Sequence, residues 1–255
     1  MLTAYRTHVG RVRHVNEDHA WIGRLGSSIA LAIVADGMGG HLAGDVASGM
    51  AVEAFRSALE QYSEKTAFSE EEAKMLMRQA ISAANESIHA MASKEEKYHN
   101  MGTTIVAALL QRGRAVVGHV GDSRAYRLGK DSISLLTEDH SLVNELLRSG
   151  QLNPEEAAHH PRRNVLTRAV GTDARVDIDV NSLPWAPDDV LLLCSDGLSN
   201  LVNEGRMLET MTASGWDLEA GAEQLIQLAL EAGGDDNVTV VLLRLDAGER
   251  EENEL

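Results

Sequence analysis

Cysteine is nearly absent from this chain of 255 residues, and its one cysteine, Cys194, lies inside an apolar run. A single thiol excludes an internal disulfide, and a cysteine in such surroundings is more often structural than nucleophilic. This usage suits a reducing compartment. No apolar run approaches the ~20 residues of a membrane-spanning helix, and the first residues lack the apolar core of a signal peptide. We therefore expect a cytoplasmic protein without a membrane partner.

Positive charge is also scarce, because 23 Lys and Arg residues are outnumbered by 39 Asp and Glu residues, for a net charge of −16. Affinity for nucleic acids depends largely on neutralising phosphates, so we expect no nucleic-acid partner. Most of the surplus acid serves solubility. The same surplus suits a protein that holds cations.

Several signatures of common enzyme sites are missing. The chain has no Walker loop, no His-Glu-x-x-His helix and no Gly-x-Ser-x-Gly elbow. The run Gly37-Met38-Gly39 does not continue as a dinucleotide-binding fingerprint, because Leu42 stands where the third glycine belongs. These absences exclude the commonest nucleotide-dependent, zinc-protease and esterase chemistries.

What the chain does have is a repeated junction of apolar run, acid and glycine. The clearest example is Ala30 to His41, where an apolar run stops at Asp36 and glycines fill three of the next four positions. A buried strand that ends this way presents a carboxylate beside a turn with little side-chain bulk. The same arrangement recurs around three further acids, which are Asp122, Asp196 and Asp236.

Between these junctions the periodicity predicts alternating strands and helices. Apolar residues at helical spacing predict a helix from 43 to 59 and a second one that starts at Ser69, where Ser69 and Glu72 form a capping box. Strands are predicted within 2–25, in 176–180, in 189–194 and in 237–245, and Asp217 is predicted to cap a further helix. The short links within 103–136 predict an antiparallel meander of three strands.

Residues 141–173 break this pattern and are rich in arginine. This segment is either a solvated surface excursion or a flap that meets an anionic substrate, and long connections often carry function. We predict one domain over 1–246 with a flap at about 141–173, followed by a charged tail at 247–255. The arginines are Arg148, Arg162, Arg163 and Arg168.

The four acids, Asp36, Asp122, Asp196 and Asp236, come from distant parts of the chain but each ends or begins a predicted strand. Oxygen ligands without a cysteine or histidine cluster favour Mg²⁺ or Mn²⁺. Crowded carboxylates raise each other's pKa values, and divalent ions remove that repulsion. A pair of ions can also activate a water against phosphorus. The residues alone therefore indicate an oxygen-ligated metal hydrolase, and their pattern leaves a layered α/β fold open.

Seven short motifs resemble, in the same order, those of the PP2C-like (PPM) protein phosphatases of bacterial type. The resemblance implies an α+β fold, a four-layer α-β-β-α sandwich of two antiparallel sheets flanked by helices. It also implies hydrolysis of phosphoserine and phosphothreonine in proteins by a metal-bridging hydroxide, without a phosphoenzyme. The motifs are Arg13…Asn16-Glu17-Asp18, Asp36-Gly37-Met38-Gly39-Gly40-His41, Met101-Gly102-Thr103-Thr104, Gly121-Asp122-Ser123-Arg124, Leu136-Thr137-Glu138-Asp139-His140-Ser141, Ser195-Asp196-Gly197-Leu198 and Asp235-Asp236-Asn237.

The resemblance further implies two catalytic Mn²⁺ or Mg²⁺ ions and a weaker third site. Asp36 would bridge the two catalytic ions, and the carbonyl group of Gly37 would bind one of them. Asp196 and Asp236 would hold the other ion of the pair. Asp122, together with Asp196, matches the third site.

Other residues take supporting roles in the same comparison. Glu17 and Asp18 would accept hydrogen bonds from metal-bound waters, and Asn237 would support the ligands beside them. Arg13 would clamp the substrate phosphate with its planar fork. His41 would protonate the leaving group, orient a water or simply pack beside the glycine turn.

Two alternatives to an active protein phosphatase stay open. The chain could be a non-catalytic adaptor that keeps the fold, or a two-metal phosphatase of small phosphoesters. The resemblance implies phosphorylated protein substrates, the targets of a Ser/Thr kinase, and we expect a monomer.

Overall fold

The computed structural model describes residues 1–39, 43–158 and 160–245. His41 and the predicted tail at 247–255 lie outside the described residues. The strands of the described part are β1 (Leu2–His8), β2 (Asp18–Leu25), β3 (Ile29–Met38), β4 (Gly102–Thr103), β5 (Ile105–Gln111), β6 (Arg114–Val120), β7 (Arg124–Gly129), β8 (Ser132–Leu135), β9 (Asp179–Pro184), β10 (Val190–Cys194) and β11 (Val238–Arg244).

These strands form two sheets in which every neighbouring pair is antiparallel. Sheet I has the order β1-β11-β10-β7-β8, and sheet II has the order β2-β3-β5-β6-β9, with β4 beside β3. The register pairs Asp18 with Asp36 in sheet II. Because directly paired residues point to the same face of a sheet, these two acids share one side.

Helices cover the outer faces of both sheets. The capping box of Ser69 and Glu72 is present, and the side chain of Asp217 accepts a hydrogen bond from the amide of Ala220. Both predicted helix starts are therefore confirmed. The helices are α1 (Ala43–Glu60), α2 (Glu70–Lys94), α3 (Leu142–Arg148), α4 (Pro154–Ala158), α5 (Asp196–Ser199), α6 (Glu204–Ala213) and α7 (Leu218–Glu231).

Alternation along β3 shows how the layers are built. Leu31 and Ile33 face α1 and α2, whereas Ala32 and Val34 face sheet I across the middle of the sandwich. The two faces of β3 thus belong to two separate apolar cores, and a third core lies between sheet I and helices α6 and α7. Each large buried aliphatic side chain contributes about 1.5–3 kcal/mol through burial. The four-layer arrangement of two antiparallel sheets between helices is confirmed.

The predicted meander over 103–136 is wrong at its second turn. Strands β5 and β6 form a hairpin in sheet II, but β7 lies in sheet I, where it pairs with β8 and β10. The link around Asp122 therefore crosses the sandwich instead of reversing within one sheet. Both strands carry apolar residues on both faces, so periodicity could not show which sheet each strand joins.

Two smaller differences concern strand and helix limits. The strand predicted over 176–180 is β9, which begins only at Asp179, because its pairing with β6 ends at His119 and Asp179. Helix α6 was not predicted, since few of its residues are buried. Among the described residues, no helix combines the length and the apolar character needed to cross a bilayer.

Candidate active site

The four predicted acids meet at one end of the sandwich. Asp36 lies near the end of β3 in sheet II, while Asp196 follows β10 and Asp236 precedes β11 in sheet I. Asp122 lies in the link that crosses between the sheets. Together they border a cleft of about 310 Å³. Its lining is Arg13, Glu17, Asp36, Gly37, Met38, Gly39, Thr104, Asp122, Asn164, Leu166, Asp196, Asp236 and Asn237.

Asp36 is held by two threonines of the Met101–Thr104 motif, to which sequence reasoning gave no role. The amide of Asp36 donates to Oγ1 of Thr104 at 3.0 Å, and the amide of Thr104 donates to the carbonyl oxygen of Asp36 at 2.8 Å. The hydroxyl of Thr103 donates to the same carbonyl oxygen at 2.8 Å. These bonds fix the backbone that presents the Asp36 carboxylate.

The glycines beside the acids allow their backbones to touch. A Cβ atom on Gly37 would collide with the carbonyl oxygens of Gly44 and Glu17, so the start of α1 sits directly on this turn. A Cβ atom on Gly197 would collide with the carbonyl oxygen of Asn237. The junction of acid and glycine seen in the sequence is therefore a packing requirement at both positions.

Burial, and after it repulsion between neighbouring acids, sets the electrostatics of the cleft. Burial and the carboxylates of Asp18, Asp196, Asp122 and Asp236 raise the pKa of Asp36 well above its usual value. Burial, followed by neighbouring acids, also raises the pKa of Asp18 to about 7 and that of Asp122 to about 8. Burial and the charge of Asp236 raise the pKa of Asp196 to about 6. Such a group of acids favours the arrival of cations.

Three carboxylate oxygens around the cleft are buried and have no hydrogen-bond partner among the described residues. They are Oε1 of Glu17, Oδ1 of Asp18 and Oδ1 of Asp196. A buried acceptor without a partner is costly, and native proteins seldom leave one without a ligand or an ion. The unpartnered oxygens therefore indicate that the cleft accommodates a group with donors or positive charge.

Glu17 and Asp18, the two acids that follow Arg13 in the first motif, hold different positions. Asp18 is almost fully buried, and the hydroxyl of Ser195 donates to its Oδ2 at 2.7 Å. This bond links β2 of sheet II to the end of β10 in sheet I. Glu17 lines the cleft, and its pKa is raised by burial, with the positive charge of Arg13 opposing the shift.

Asn237 organises the loop between β1 and β2. Its Oδ1 accepts a hydrogen bond from the amide of Glu17 at 2.8 Å. Its Nδ2 donates to the carbonyl oxygens of Val9 and Val15, each at 2.9 Å. Three bonds from one buried side chain thus fold the loop that carries Arg13 over the cleft.

Arg13 reaches the acids directly. Its Nη2 lies 2.8 Å from Oδ2 of Asp236, and about half of its side chain is exposed. The guanidinium group therefore stands at the mouth of the cleft with donors available to a ligand. His41, the predicted proton donor, lies outside the described residues.

The flap contributes residues that sequence reasoning missed. Asn164 and Leu166 line the cleft, whereas two of the flap arginines are engaged elsewhere, Arg148 with Glu138 at 2.7 Å and Arg168 with Asp179 at 3.3 Å. Asn164 and Leu166 were not predicted, because an asparagine and a leucine in a polar segment give no indication of a chemical role. The bridge between Ser141 and Leu166 brings the start of the flap against its returning part, beside the cleft.

A second group of side chains, His119, His140 and Asp179, offers three ligand atoms within 4.8 Å of one another. The two imidazole rings are stacked, with centroids 4.7 Å apart and planes 13° apart. This group lies beside the link that carries Asp122. No part of the sequence reasoning predicted it as a site.

The family model for protein phosphatase 2C matches residues 8–231. The chain belongs to the protein phosphatase 2C family. Membership makes it an enzyme, a protein phosphatase, and the fold and family expected from the motifs are both confirmed.

Relatives of the protein phosphatase 2C family match nearly the whole chain. A serine/threonine phosphatase stp of Listeria monocytogenes is 44% identical over 247 residues, which cover 96% of each chain. Serine/threonine phosphatase Stp1 from Staphylococcus aureus superposes with a TM-score of 0.88 at 36% identity, covering 96% of this chain and 95% of the other. The catalytic domain of the phosphatase PstP, in complex with two manganese ions, superposes with a TM-score of 0.83 at 34% identity, covering 96% and 98%.

Proposed function

We propose that this protein phosphatase hydrolyses phosphoserine and phosphothreonine in proteins with the help of two Mn²⁺ or Mg²⁺ ions, and that a third ion binds more weakly. The observation that carries the proposal is the meeting of four acids at one cleft, three of which, Asp36, Asp122 and Asp196, have raised pKa values, beside three unpartnered carboxylate oxygens. The relative PstP, whose structure is in complex with two manganese ions, supports the same choice of ion.

The residues present fit divalent cations well. The available donors are carboxylate and backbone oxygens, which Mg²⁺ and Mn²⁺ prefer. A bound cation would offset both the burial of these carboxylates and their mutual repulsion, which together raise the pKa values. The proposed ligands are Asp36 and the carbonyl group of Gly37, Asp196 and Asp236, with Asp122 and Asp196 at the weaker site.

When bound, a pair of divalent ions lowers the pKa of a water and polarises a phosphoryl oxygen. The protein's own residues supply the rest of the arrangement. Arg13 offers a planar fork to two phosphoryl oxygens, while Glu17 and Asp18 present acceptors that orient waters. Asn237 holds the loop from which Arg13 and Glu17 project. Proton donation by His41 stays a prediction.

Protein substrates fit the surroundings of the cleft. The cleft is bordered by an exposed flap segment, in which Arg162 and Arg163 form no ion pair with any described residue. Guanidinium groups without an acidic partner, in the segment that supplies Asn164 to the cleft, suit an acidic or phosphorylated polypeptide, such as a target of a Ser/Thr kinase. The cytoplasmic location and the monomeric state remain predictions.

The decisive experiment compares phosphoserine, phosphothreonine and phosphotyrosine peptides with p-nitrophenyl phosphate, in Mn²⁺ and in EDTA. We expect Mn²⁺-dependent turnover of the first two peptides, and no turnover by Asp36→Asn. Turnover in EDTA, or a fully active Asp36→Asn, would contradict the proposed ligands. Turnover of p-nitrophenyl phosphate alone would favour small phosphoesters, and the absence of any turnover would favour an adaptor.

A further inference from the structure

His140 lies where three parts of the active-site end meet, although it does not line the cleft. It follows β8, precedes the flap helix α3, and is only 6% exposed. Its backbone and ring contact the link that carries Asp122, the returning end of the flap, and β9. A buried histidine with this many polar contacts has a positioning role to be tested.

Two hydrogen bonds join His140 to Gly121, the residue just before Asp122. The amide of His140 donates to the carbonyl oxygen of Gly121 at 3.0 Å, and the amide of Gly121 donates to Nδ1 of His140 at 3.1 Å. Gly121 has a φ of 108°, and a Cβ atom there would collide with Thr104. The link is therefore held between Thr104 on one side and the His140 ring on the other.

These contacts also fix which ring nitrogen carries the proton. An amide N–H can only donate, so Nδ1 of His140 must accept, and the neutral ring carries its proton on Nε2. The Nε2 atom lies 3.2 Å from Oδ2 of Asp179, to which it donates. The ring thus bridges Gly121 and β9 in one defined tautomer.

The flap is attached to the same residue. The carbonyl oxygen of His140 accepts a hydrogen bond from the amide of Thr167 at 2.9 Å, and Arg168 pairs with Asp179 at 3.3 Å. Next to His140, Asp139 receives two bonds from Arg124, at 2.8 and 2.6 Å. The base of the flap and the Asp122 link are consequently one connected network.

A metal ion between His119, His140 and Asp179 fits this geometry less well. An imidazole binds a metal in the plane of its ring, and two stacked rings cannot both aim a lone pair at one ion. In addition, Nη1 of Arg168 lies 3.3 Å from Nε2 of His140, where it would repel a cation. Nε2 of His119 is also engaged, since it lies 2.8 Å from the carbonyl oxygen of Glu138.

We propose that His140 is a positioning residue that fixes Asp122 through the bond between Nδ1 and the amide of Gly121. The inference rests on the proposed function, because it assigns Asp122 to the weakest metal site. The second nitrogen, Nε2, holds Asp179 and the flap base, and it contributes little to the placement of Asp122. The two ring nitrogens therefore have separable tasks.

Two near-isosteric variants separate these tasks. In His140→Asn the amide oxygen takes the place of Nδ1 and can still accept from Gly121, whereas the contact with Asp179 is lost. In His140→Gln the amide nitrogen takes the place of Nε2 and can still donate to Asp179, whereas the acceptor for Gly121 is lost. Asp179→Ala is the matched control for the second contact.

The measurements are Mn²⁺ titration calorimetry on the full chain, the melting temperature, and kcat as a function of Mn²⁺ concentration. We expect His140→Gln to weaken the weakest Mn²⁺ site by about tenfold and to shift the Mn²⁺ dependence of kcat by the same factor. His140→Asn and Asp179→Ala should keep the wild-type Mn²⁺ affinity at that site. The contrast should persist among variants with similar melting temperatures.

Equal Mn²⁺ affinity in His140→Gln and wild type would overturn the positioning role, and so would an equal loss in both His140 variants. Zn²⁺ binding by wild type that either His140 variant abolishes would overturn it as well, in favour of a metal site. If His140→Gln does not fold, a loss of Mn²⁺ affinity in His140→Asn alone overturns the proposal, and retention supports it. A wild-type protein that binds no Mn²⁺ and hydrolyses no phosphopeptide would instead refute the proposed function.

Discussion

The Nη2 atom of Arg13 lies 2.8 Å from Oδ2 of Asp236, so the guanidinium group rests on an acid of the proposed metal site. Its fork has further donors that Asp236 does not occupy. A phosphoryl group that entered the cleft would therefore meet Arg13 while Arg13 keeps its contact with the acid. In the proposed mechanism, Arg13 would therefore bind the phosphate while it stays paired with Asp236, a proposed metal ligand.

Replacing Arg13 by alanine should impair substrate binding more than turnover. A hydrogen bond to a charged group is worth about 1.5–3 kcal/mol, which corresponds to roughly a ten- to hundredfold rise in KM. Because the contact is made in both the ground state and the transition state, kcat should change much less. Steady-state kinetics on a phosphothreonine peptide would measure both constants.

Arg6→Ala is a matched control for this change. Arg6 is also an exposed arginine paired with acids, at 2.6 Å from Glu219 and 3.3 Å from Glu223, but it does not line the cleft. Its KM should equal that of wild type. An Arg13→Ala enzyme with unchanged KM would remove the clamp from the mechanism.

Without divalent ions, the protein should lose stability as the pH rises from about 4 to about 8. Folding raises the pKa values of Asp196, Asp18 and Asp122 from 3.8 to about 6, about 7 and about 8. Across this window the folded state binds more protons than the unfolded state, so the free energy of unfolding decreases with pH. The stability gained from these bound protons is fully present below about pH 4, and it is lost as the pH rises through the pKa values of the folded state. Urea denaturation in EDTA at a series of pH values would show the slope.

Addition of Mn²⁺ should remove most of this slope, because bound cations replace the protons. Asp36→Asn should behave similarly in EDTA, since it deletes one buried charge and should raise the free energy of unfolding at pH 8. A metal-free protein whose stability does not fall between these pH values would show that the acids do not crowd as described.

Gly37→Ala should abolish activity by displacing the turn that follows Asp36. The added Cβ atom would collide with the carbonyl oxygens of Gly44 and Glu17, and both are backbone atoms that cannot rotate away. Activity with Mn²⁺ and the melting temperature would report the damage. Gly205→Ala offers the matched control, because its Cβ atom would find only the end of the Asn203 side chain at 3.4 Å. That helix substitution should be neutral or stabilising by up to about 1 kcal/mol, and an active, stable Gly37→Ala protein would contradict the close packing.

Asn237→Ala should loosen the loop that carries Arg13. The change removes three part-buried hydrogen bonds, to the backbone groups of Glu17, Val9 and Val15, and each such bond is worth about 0.5–1.5 kcal/mol. The free energy of unfolding should fall and KM should rise together. Asn203→Ala removes a helix cap instead, so it should cost about 1 kcal/mol and leave KM unchanged. If Asn237→Ala and Asn203→Ala have the same KM, Asn237 does not contribute to substrate binding.

The sequence predicted the acids well because each one marks a visible break. Asp36 and Asp196 follow apolar runs, and Gly37 and Gly197 follow the acids, so a strand end and a close backbone approach could both be inferred. Helix starts with local signals, such as the Ser69 capping box, were equally accessible. Such features depend on neighbours in sequence.

Features that depend on distant partners were not accessible. The short link at Asp122 looks like a hairpin turn, and only the pairing of β7 with β10 shows that it crosses to the other sheet. Asn164 and Leu166 enter the cleft because the flap returns beside Ser141, which no local pattern indicates. The role of Thr104 likewise appears only once its hydroxyl is seen beside the amide of Asp36.

The division of the acids between the sheets has a mechanical consequence. Asp36 belongs to one half of the sandwich, Asp196 and Asp236 belong to the other, and Asp122 stands on the bridge between them. Cations held by all of them would join the two sheets at one end of the sandwich and limit their movement relative to each other. The catalytic activity would then depend on the alignment of the two sheets. A substitution that shifts one sheet against the other in the distant apolar interior, for example at Leu193 or Val241, would lower it.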